Sequence, residues 1–305
     1  MSLRLARLRV PLLLAILSSP AAAGSQPAGG AAPTLSVHPA QPRIGDPLLV
    51  VYRGDPAVKA VSGRFLGDSL KFHEMREDIF QALAPISVRQ KPGQHGLKVR
   101  VELGDERFRE EAITVTVRDR EFEVSELSVK SKFTKLSRAA RVRVRRDRKK
   151  INQVWRSGKQ APQYTGDFQR PIHTEITGEF GTKRMFNKVE KSRHYGVDLD
   201  GVGGERIRAS NTGRVALAGD LFYSGLTLFI DHGGGLFTVY FHLRSLKVAT
   251  NELVQAGQVV GTLGKSGRVT GPHLHFGAKL HGTYVDPLVL CDLPISGKDL
   301  SPPQN

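Results

Sequence analysis

Hydrophobic and polar residues alternate along several short segments in the first half of the chain, which predicts β-strands. Segments 97–103 (Leu-Lys-Val-Arg-Val-Glu-Leu) and 113–117 (Ile-Thr-Val-Thr-Val) alternate strictly. Because successive side chains of a strand point to opposite sides, we expect each of these strands to bury one face. Segment 48–52 (Leu-Leu-Val-Val-Tyr) is continuously apolar and predicts a short buried strand. Strands at this spacing favour a small antiparallel β-sandwich within residues 34–129.

A second β-rich region begins near Phe168, where short apolar segments alternate with glycine-rich turns. Short strands joined by tight turns are typical of an all-β domain. The strand candidates of this region are segments 213–218, 226–230, 236–241 and 259–263. The pattern therefore predicts a second β-rich domain at residues 168–295.

Between the two β-rich regions, residues 130–150 carry a large excess of positive charge. Eleven Lys or Arg residues and one Asp give a net charge of +10 (eleven minus one). Ser137 is placed to cap a helix that runs through Arg148 to about Trp155. This segment can be a solvated linker helix, or an electrostatic clamp for an anionic wall polymer or a membrane surface. It lacks basic residues interleaved with aromatics, so we expect no nucleic-acid partner.

The ends of the chain differ in composition from its β-rich regions. Three arginines, a short apolar run and small residues up to Ala23 predict a secretory signal peptide at residues 1–23. The Gly-, Ala-, Ser- and Pro-rich residues that follow predict a flexible tether. The predicted order is signal peptide 1–23, tether 24–33, accessory β-rich domain 34–129, basic linker with helix 130–167, second β-rich domain 168–295 and tail 296–305.

The whole chain is strongly basic and contains a single cysteine. Its 305 residues carry a formal net charge of +16, which favours a polyanionic partner. No intrachain disulfide can form, and we interpret Cys291 as a buried, inert thiol. Together with the signal peptide, the low cysteine content predicts export to the periplasm, the cell envelope or the extracellular space.

Three short clusters in the second β-rich region combine histidines with a carboxylate. They are His194-Tyr-Gly-Val-Asp198, the segment ending in His242, and Gly-Pro-His273-Leu-His275. On a strand, the two histidines of the last cluster lie on the same side. Imidazoles with a carboxylate suit Zn²⁺, and a catalytic zinc keeps three protein ligands and one open position. Spare imidazoles can act as general base and acid, so the clusters indicate metal-assisted amide hydrolysis.

The same clusters, in order, make residues from about Gly178 to Leu290 resemble the lysostaphin/LytM-type zinc endopeptidases. Short glycine-containing segments between these clusters also resemble the family. It rests on segments 194–198, 240–243, 257–261, 266–267 and 270–276. It covers a little more than a third of the chain.

Carried over to this sequence, the resemblance implies the ligands and catalytic groups of one Zn²⁺ per chain. The metal ligands fall on His194, Asp198 and His275, and the two non-ligand catalytic histidines fall on His242 and His273. In this family one or both of these histidines help to activate water or stabilise the oxyanion, and which does which stays open here. The resemblance implies an antiparallel β zinc peptidase domain at 168–295 with a groove over the metal.

The implied function is hydrolysis of peptide cross-links in bacterial peptidoglycan by a secreted zinc endopeptidase. The alternative is a non-enzymatic activator of cell-wall amidases, a role of members that have lost part of the ligand set. All five site positions are filled here, which favours the enzyme. The loop before His194 carries five cations, which favour a substrate with free carboxylates, such as a D-alanine–diaminopimelate cross-link, over a glycine bridge. These cations are Lys183, Arg184, Lys188, Lys191 and Arg193.

The remaining histidines are interpreted as structural or surface residues. His232 matches a position that is often His in the family, and we interpret it as a turn residue that hydrogen-bonds the backbone. Three histidines of the accessory region, at positions 38, 73 and 95, are widely separated and lack ligand spacing.

Overall fold

The described part of the chain consists mainly of short β-strands, with two helices. The computed structural model describes residues 33–54, 57–76, 78–104, 107–126, 136–158, 161–186 and 189–297. The predicted signal peptide (1–23), the tether except its last residue, and residues 298–305 of the tail lie outside them. Neither described helix is long and apolar enough to cross a membrane.

The elements of the first half of the described chain are nine strands and the longer helix. They are β1 (Thr34–His38), β2 (Pro47–Arg53), β3 (Val58–Phe65), β4 (Asp68–Lys71), β5 (His73–Arg76), β6 (Ile79–Pro85), β7 (Gly93–Leu103), β8 (Phe108–Val117), β9 (Val124–Glu126) and α1 (Arg138–Ser157).

The second half contributes thirteen strands and a short helix. They are β10 (Ile176–Gly178), β11 (Lys183–Phe186), β12 (Val189–Arg193), β13 (Val197–Asp200), β14 (Arg206–Arg208), β15 (Gly213–Leu221), β16 (Gly225–Asp231), β17 (Leu236–Leu243), β18 (Ser245–Leu246), β19 (Leu253–Val254), β20 (Val259–Thr262), β21 (His273–Leu280), β22 (Thr283–Val285) and α2 (Pro287–Asp292).

Two four-stranded antiparallel sheets occupy the region predicted to be a small β-sandwich. Their strand orders are β1-β2-β6-β5 and β4-β3-β7-β8. The predicted alternation in β7 is confirmed, because Leu97, Val99 and Val101 are buried while the residues between them are exposed. Residues of both sheets, such as Val50 and Val99, belong to one buried cluster, so the two sheets pack against each other.

Strand β2 is buried on both of its faces, which explains its continuous apolar run. Leu48 and Val50 face the second four-stranded sheet. Leu49 and Val51 join a different buried cluster, which contains Leu280 of β21. A strand covered on both sides gains from apolar residues at every position. Contacts between buried residues therefore cross the boundary that was predicted between the two β-rich domains. The position of that boundary stays a prediction.

An eight-stranded antiparallel sheet forms the centre of the second β-rich region. Its order is β10-β13-β21-β17-β16-β15-β19, and β22 pairs with the free end of β21. Strand β21 lies between β13 and β17, with Asp198 of β13 and Phe241 of β17 both opposite His275. Two three-stranded sheets, β12-β11-β9 and β14-β20-β18, lie beside it. The mostly β, antiparallel prediction for this region is confirmed.

Helix α1 packs one face against this central sheet. It begins as predicted, because the Ser137 side chain accepts a hydrogen bond from the Ala140 amide. Val154 is buried in a cluster with residues of β15, β16 and β17. The Trp155 ring lies 5.0 Å from the ring of Phe229 and 5.2 Å from that of Phe237. A solvated linker helix would not pack one of its faces on a sheet in this way, and the sequence did not predict these contacts.

Candidate metal centre

Three side-chain atoms from two separate parts of the sequence converge at one end of the central sheet. His194 Nε2 lies 3.0 Å from Asp198 Oδ1 and 2.9 Å from His275 Nδ1. His275 Nδ1 lies 2.9 Å from the same Asp198 oxygen. Among the described residues, this is the one group of three or more His, Cys, Asp or Glu side chains placed to hold a metal ion.

The sheet register places these side chains. Asp198 and His275 are opposite each other on the paired strands β13 and β21. His194 precedes β13, and its Nδ1 is 2.9 Å from the Glu179 carbonyl oxygen, which fixes the ring. A Cβ on Gly196 would lie only 2.5 Å from the Phe276 carbonyl and 2.7 Å from the His275 ring. Glycine is therefore needed at position 196 for β13 to approach β21 this closely.

The hydrogen bonds around His194 show why a cation fits this cluster. A carbonyl oxygen can only accept, so Nδ1 of His194 donates to Glu179 and a neutral ring carries its lone pair on Nε2. That lone pair faces the Asp198 carboxylate, which also has only lone pairs to offer. Two acceptors at this distance repel each other unless a proton or a cation lies between them. Two imidazoles and one carboxylate match the ligand preference of Zn²⁺.

Asp198 remains ionised within this buried cluster. Burial by itself raises the pKa of its carboxyl group, but the close contacts with His194 and His275 outweigh that effect and hold the pKa well below its usual range. Burial lowers the pKa of His275 to about 4, so this ring is neutral near pH 7. Neutral imidazole and ionised carboxylate are the protonation states that bind metal.

Two further histidines border the cluster. The ring centres of His242 and His273 are 5.0 Å apart, and His273 Nε2 lies 3.8 Å from Asp198 Oδ1. Nδ1 of His242 donates to the Ser266 carbonyl at 2.8 Å, which leaves Nε2 with the lone pair of the neutral ring. Burial, together with the nearby His275, lowers the pKa of His242 to about 3. The structure thus brings all five predicted site residues together, and their individual roles stay predictions.

The backbone at His242 is held in an uncommon conformation. Its φ of +65° is one that residues other than glycine rarely adopt. The His242 amide donates to the Ser224 carbonyl at 2.9 Å, in the turn between β15 and β16. Strained backbone of this kind persists where the surroundings fix it, and it concentrates at functional sites. The β15–β16 turn and Ser266 together fix the position of this ring.

The cations of the loop before His194 lie in different environments. Arg184 is partly buried, and its guanidinium is 3.9 Å from Asp198 Oδ2. The Arg193 guanidinium lies 5.1 Å from the centre of the Phe122 ring. Lys188 and the Lys191 side chain lie outside the described residues.

Two cations that sequence reasoning missed border a cleft next to the two histidines. The cleft is about 620 Å³ in volume and is bounded by Leu243 and Pro272, the chain neighbours of His242 and His273. Arg244 and Lys265 line it, and both are exposed. Because they lie in turns with no ligand-like spacing, their position is evident only from the folded chain.

His232 has the structural role that was expected of it, whereas Cys291 is more exposed than the buried thiol that was predicted. His232 is fully buried, with Nδ1 2.8 Å from the Thr212 carbonyl and Nε2 2.7 Å from the Thr238 hydroxyl. Its interpretation as a structural residue that hydrogen-bonds the backbone is confirmed. Burial raises the pKa of the half-buried Cys291 thiol to about 12, so it stays protonated.

The antiparallel fold and the His-Asp-His cluster define a β-rich domain with a candidate metal centre next to paired histidines. Residues 192–287 match the family described as Peptidase family M23. The match covers about a third of the chain and confirms the predicted resemblance.

Similar proteins agree with this assignment. The chain is 36% identical over 118 residues to the DD-carboxypeptidase/endopeptidase Mpg of Neisseria meningitidis, which is 38% of this chain and 27% of that protein. It is 34% identical over 122 residues to the peptidoglycan DD-endopeptidase ShyC of Vibrio cholerae, with 40% and 27% covered. The chain thus spans about a quarter of the length of these relatives.

One solved structure extends the comparison beyond this domain. A crystal structure of a peptidase M23 protein from Pseudomonas aeruginosa aligns with 82% of this chain and 94% of its own, with a TM-score of 0.59 and 22% identity. This likeness shows a shared fold that includes most of the described residues.

Proposed function

We propose that this protein is an exported zinc-dependent endopeptidase that hydrolyses peptide cross-links of bacterial peptidoglycan. The observation that carries the proposal is the convergence of three ligand atoms, from His194, Asp198 and His275, beside two further histidines. The similarity of the M23 domain to peptidoglycan DD-endopeptidases supports the substrate class. The predicted signal peptide supports export.

The three converging atoms would hold Zn²⁺ in this proposal. The bound ion supplies Lewis acidity, which makes a water molecule more acidic and polarises the scissile carbonyl. The neutral ring of His194 keeps its lone pair on Nε2 because Nδ1 donates to a backbone carbonyl. Asp198 contributes negative charge, and the pairing of β13 with β21 places it opposite His275.

Proton transfer is assigned to His242, and charge stabilisation to His273. Because the Nδ1 proton of His242 is held by the Ser266 carbonyl, Nε2 is the atom that accepts a proton from the attacking water. Its lowered pKa keeps this ring neutral at physiological pH, so Nε2 carries a lone pair. His273 Nδ1 lies 3.2 Å from the Gly271 carbonyl, which leaves its Nε2 to act on the reacting groups. Nε2 of His242 then gives the proton that it took from water to the leaving amine, and we assign His273 to charge stabilisation.

Purified protein is expected to carry about one zinc per chain and to release peptides from isolated cell walls. Zinc is measured by native mass spectrometry, and released peptides are identified by mass spectrometry after digestion. Exhaustive chelation should abolish release, and added zinc should restore it, because three protein ligands hold the ion. Undiminished hydrolysis after chelation would contradict the metal proposal. A zinc-loaded protein that releases no peptides but stimulates an amidase would support the alternative of a non-enzymatic activator.

We further propose that the cleft beside His242 and His273 recognises a free carboxylate of the substrate. The acid that borders the cleft, Asp220, is paired with Arg143 at 2.7 Å, and the cations Arg244 and Lys265 form no ion pair with a described residue. The cleft therefore has an excess of positive charge near the reacting groups. A D-alanine–diaminopimelate cross-link offers a carboxylate close to the scissile bond, and a glycine bridge offers none along its length.

This preference can be measured with two cross-linked peptides that differ only in whether the diaminopimelate carboxylate is free or amidated. The wild-type protein is expected to favour the free acid by about tenfold in kcat/KM, since a hydrogen bond to a charged group contributes about 1.5 kcal/mol or more. The R244Q/K265Q variant should lose the preference while cleaving the amidated peptide at the wild-type rate. A K247Q variant, which changes an exposed lysine outside the cleft, is the control. An undiminished preference in R244Q/K265Q would contradict the carboxylate site.

A further inference from the structure

The solvent-facing side of helix α1 is covered with positive charge. Its 20 residues extend about 30 Å, since an α-helix rises about 1.5 Å per residue. None of the exposed cations forms an ion pair with a described residue. They are Arg138, Arg141, Arg145, Arg146, Arg148, Lys149, Lys150 and Arg156. At about 100° per residue they cover an arc of about 200° around the helix axis.

The opposite side of α1 holds it firmly against the central sheet. Asp147, the single acid of the helix, is buried, and its carboxylate accepts the Phe222 amide at 2.8 Å. Arg143, at the edge of the docked face, pairs with Asp220 at the end of β15. Val154 and Trp155 pack on aromatic rings of β16 and β17. The basic side is therefore held facing outward.

We infer that this basic side is a docking surface for a linear polyanion, a polymer with phosphate or carboxylate groups along its length. Eight unpaired cations in about 30 Å repel one another, and a polymer with closely spaced negative charges would relieve that repulsion along the whole helix. Release of the counterions of such a polymer adds a salt-dependent gain in free energy.

A polymer fits this surface better than an anionic bilayer. An interfacial helix binds a membrane by inserting its apolar face between the lipids. In α1 the apolar side is already packed on the sheet, and the cations spread over more than half of the circumference, whereas a flat surface contacts only one side of a cylinder. A flexible chain can follow such a curved surface.

The docked side of the helix connects this surface to the candidate metal centre. The turn that Asp147 holds, between β15 and β16, also provides the Ser224 carbonyl that accepts the His242 amide. A polymer bound to α1 would thereby be kept at a fixed distance from the cleft, since the Asp147 carboxylate contacts the turn directly. The docking surface does not depend on the proposed peptidase activity.

The test neutralises one line of cations on the helix. Arg138, Arg145, Lys149 and Arg156 lie along one stripe, because the spacings of 7, 4 and 7 residues return to the same side. The variant is R138Q/R145Q/K149Q/R156Q. Its matched control, K59Q/K71Q/R89Q/K98Q, removes the same charge from exposed cations of the accessory region. Circular dichroism and the melting temperature confirm that both variants fold.

Binding to inorganic polyphosphate and to poly-glutamate is measured over a series of salt concentrations. The stripe variant is expected to lose at least about tenfold in affinity at low salt, whereas the control should stay within about twofold of the wild type. The slope of log affinity against log salt concentration should become shallower by about 3 in the stripe variant. Equal losses of affinity in both variants would show that binding depends only on net charge, and would contradict the docking surface. Binding of wild-type protein to phosphatidylglycerol vesicles but to neither polymer would replace the polymer with a membrane.

Discussion

Replacing Asp198 or His275 with alanine is expected to abolish both zinc binding and peptidoglycan hydrolysis. Each residue provides one of only three converging ligand atoms. Zinc sites with two protein ligands are weak, and the remaining charges and lone pairs of the cluster would be left without a partner. We expect activity to fall by at least about 1,000-fold, a loss comparable to removal of a principal electrostatic contribution to catalysis.

Replacing His242 with alanine is expected to give a different result. Its Nδ1 is occupied by the Ser266 carbonyl, and it lies outside the triangle formed by the ligand atoms. The variant should therefore keep most of its zinc while losing about 100- to 10,000-fold in kcat, the contribution of a general acid–base group. The loss should appear in kcat more than in KM, because the group acts in the transition state.

Zinc per chain and the rate of peptide release are measured for the three variants side by side. His173→Ala, a change at an exposed histidine of the same region, is the control and should match the wild type in both. Equal zinc loss in H242A and H275A would place His242 among the ligands and contradict the role assignment. Full activity in H242A with zinc retained would remove it from the proton-transfer step.

The arrangement of the metal centre could be predicted in part from the sequence because it depends on local rules. His273 and His275 are two residues apart on a strand, so they share a side in any sheet that contains them. The alternation of β7 likewise fixed which of its residues are buried. The pairing of β13 with β21, which brings Asp198 to His275, involves residues 77 positions apart. Only the resemblance to a known family indicated that these residues would meet.

Features that depend on contacts between distant segments could not be predicted in this way. Asp147 looks like a minor interruption in a basic run, yet it is buried and holds the β15–β16 turn. The apolar run of β2 predicted burial but not what covers each of its faces. Arg184 and Arg193 belong to the same predicted group of five cations, yet Arg184 lies 3.9 Å from the site carboxylate and Arg193 packs on the Phe122 ring. Each of these outcomes is set by packing between elements far apart in sequence.

His232 is expected to make a large, pH-dependent contribution to stability. It belongs to a buried hydrogen-bond chain that passes through the Thr238 hydroxyl to the Tyr240 hydroxyl, which accepts the Ser210 amide. His232→Leu keeps much of the volume but leaves the Thr212 carbonyl and the Thr238 hydroxyl without this partner. Unsatisfied buried polar groups cost about 1–3 kcal/mol each, so we expect the variant to lose about 2–4 kcal/mol in free energy of unfolding at pH 7.5.

This penalty is expected to shrink as the pH falls from about 6.5 to about 4. Burial lowers the pKa of His232 in the folded protein to about 4, whereas the unfolded chain binds a proton near the ordinary histidine pKa of 6.5. Protonation therefore favours the unfolded state over this interval, and the stabilisation that the neutral ring provides above pH 6.5 is lost on acidification. A difference of about 2.5 pKa units corresponds to about 3 kcal/mol. The leucine variant lacks this titration and does not incur that loss.

Chemical denaturation of both proteins at several pH values, with zinc held in constant excess, measures the effect. The other buried histidines titrate in both proteins and cancel in the difference. The gap in unfolding free energy between wild type and His232→Leu should narrow by about 2–3 kcal/mol between pH 7.5 and pH 4. His232→Asn, which retains polar atoms without a titrating ring, should show a smaller penalty at pH 7.5 and the same narrowing. A gap that stays constant with pH would mean that His232 does not become harder to protonate when the protein folds, and its role would then be limited to the hydrogen bonds.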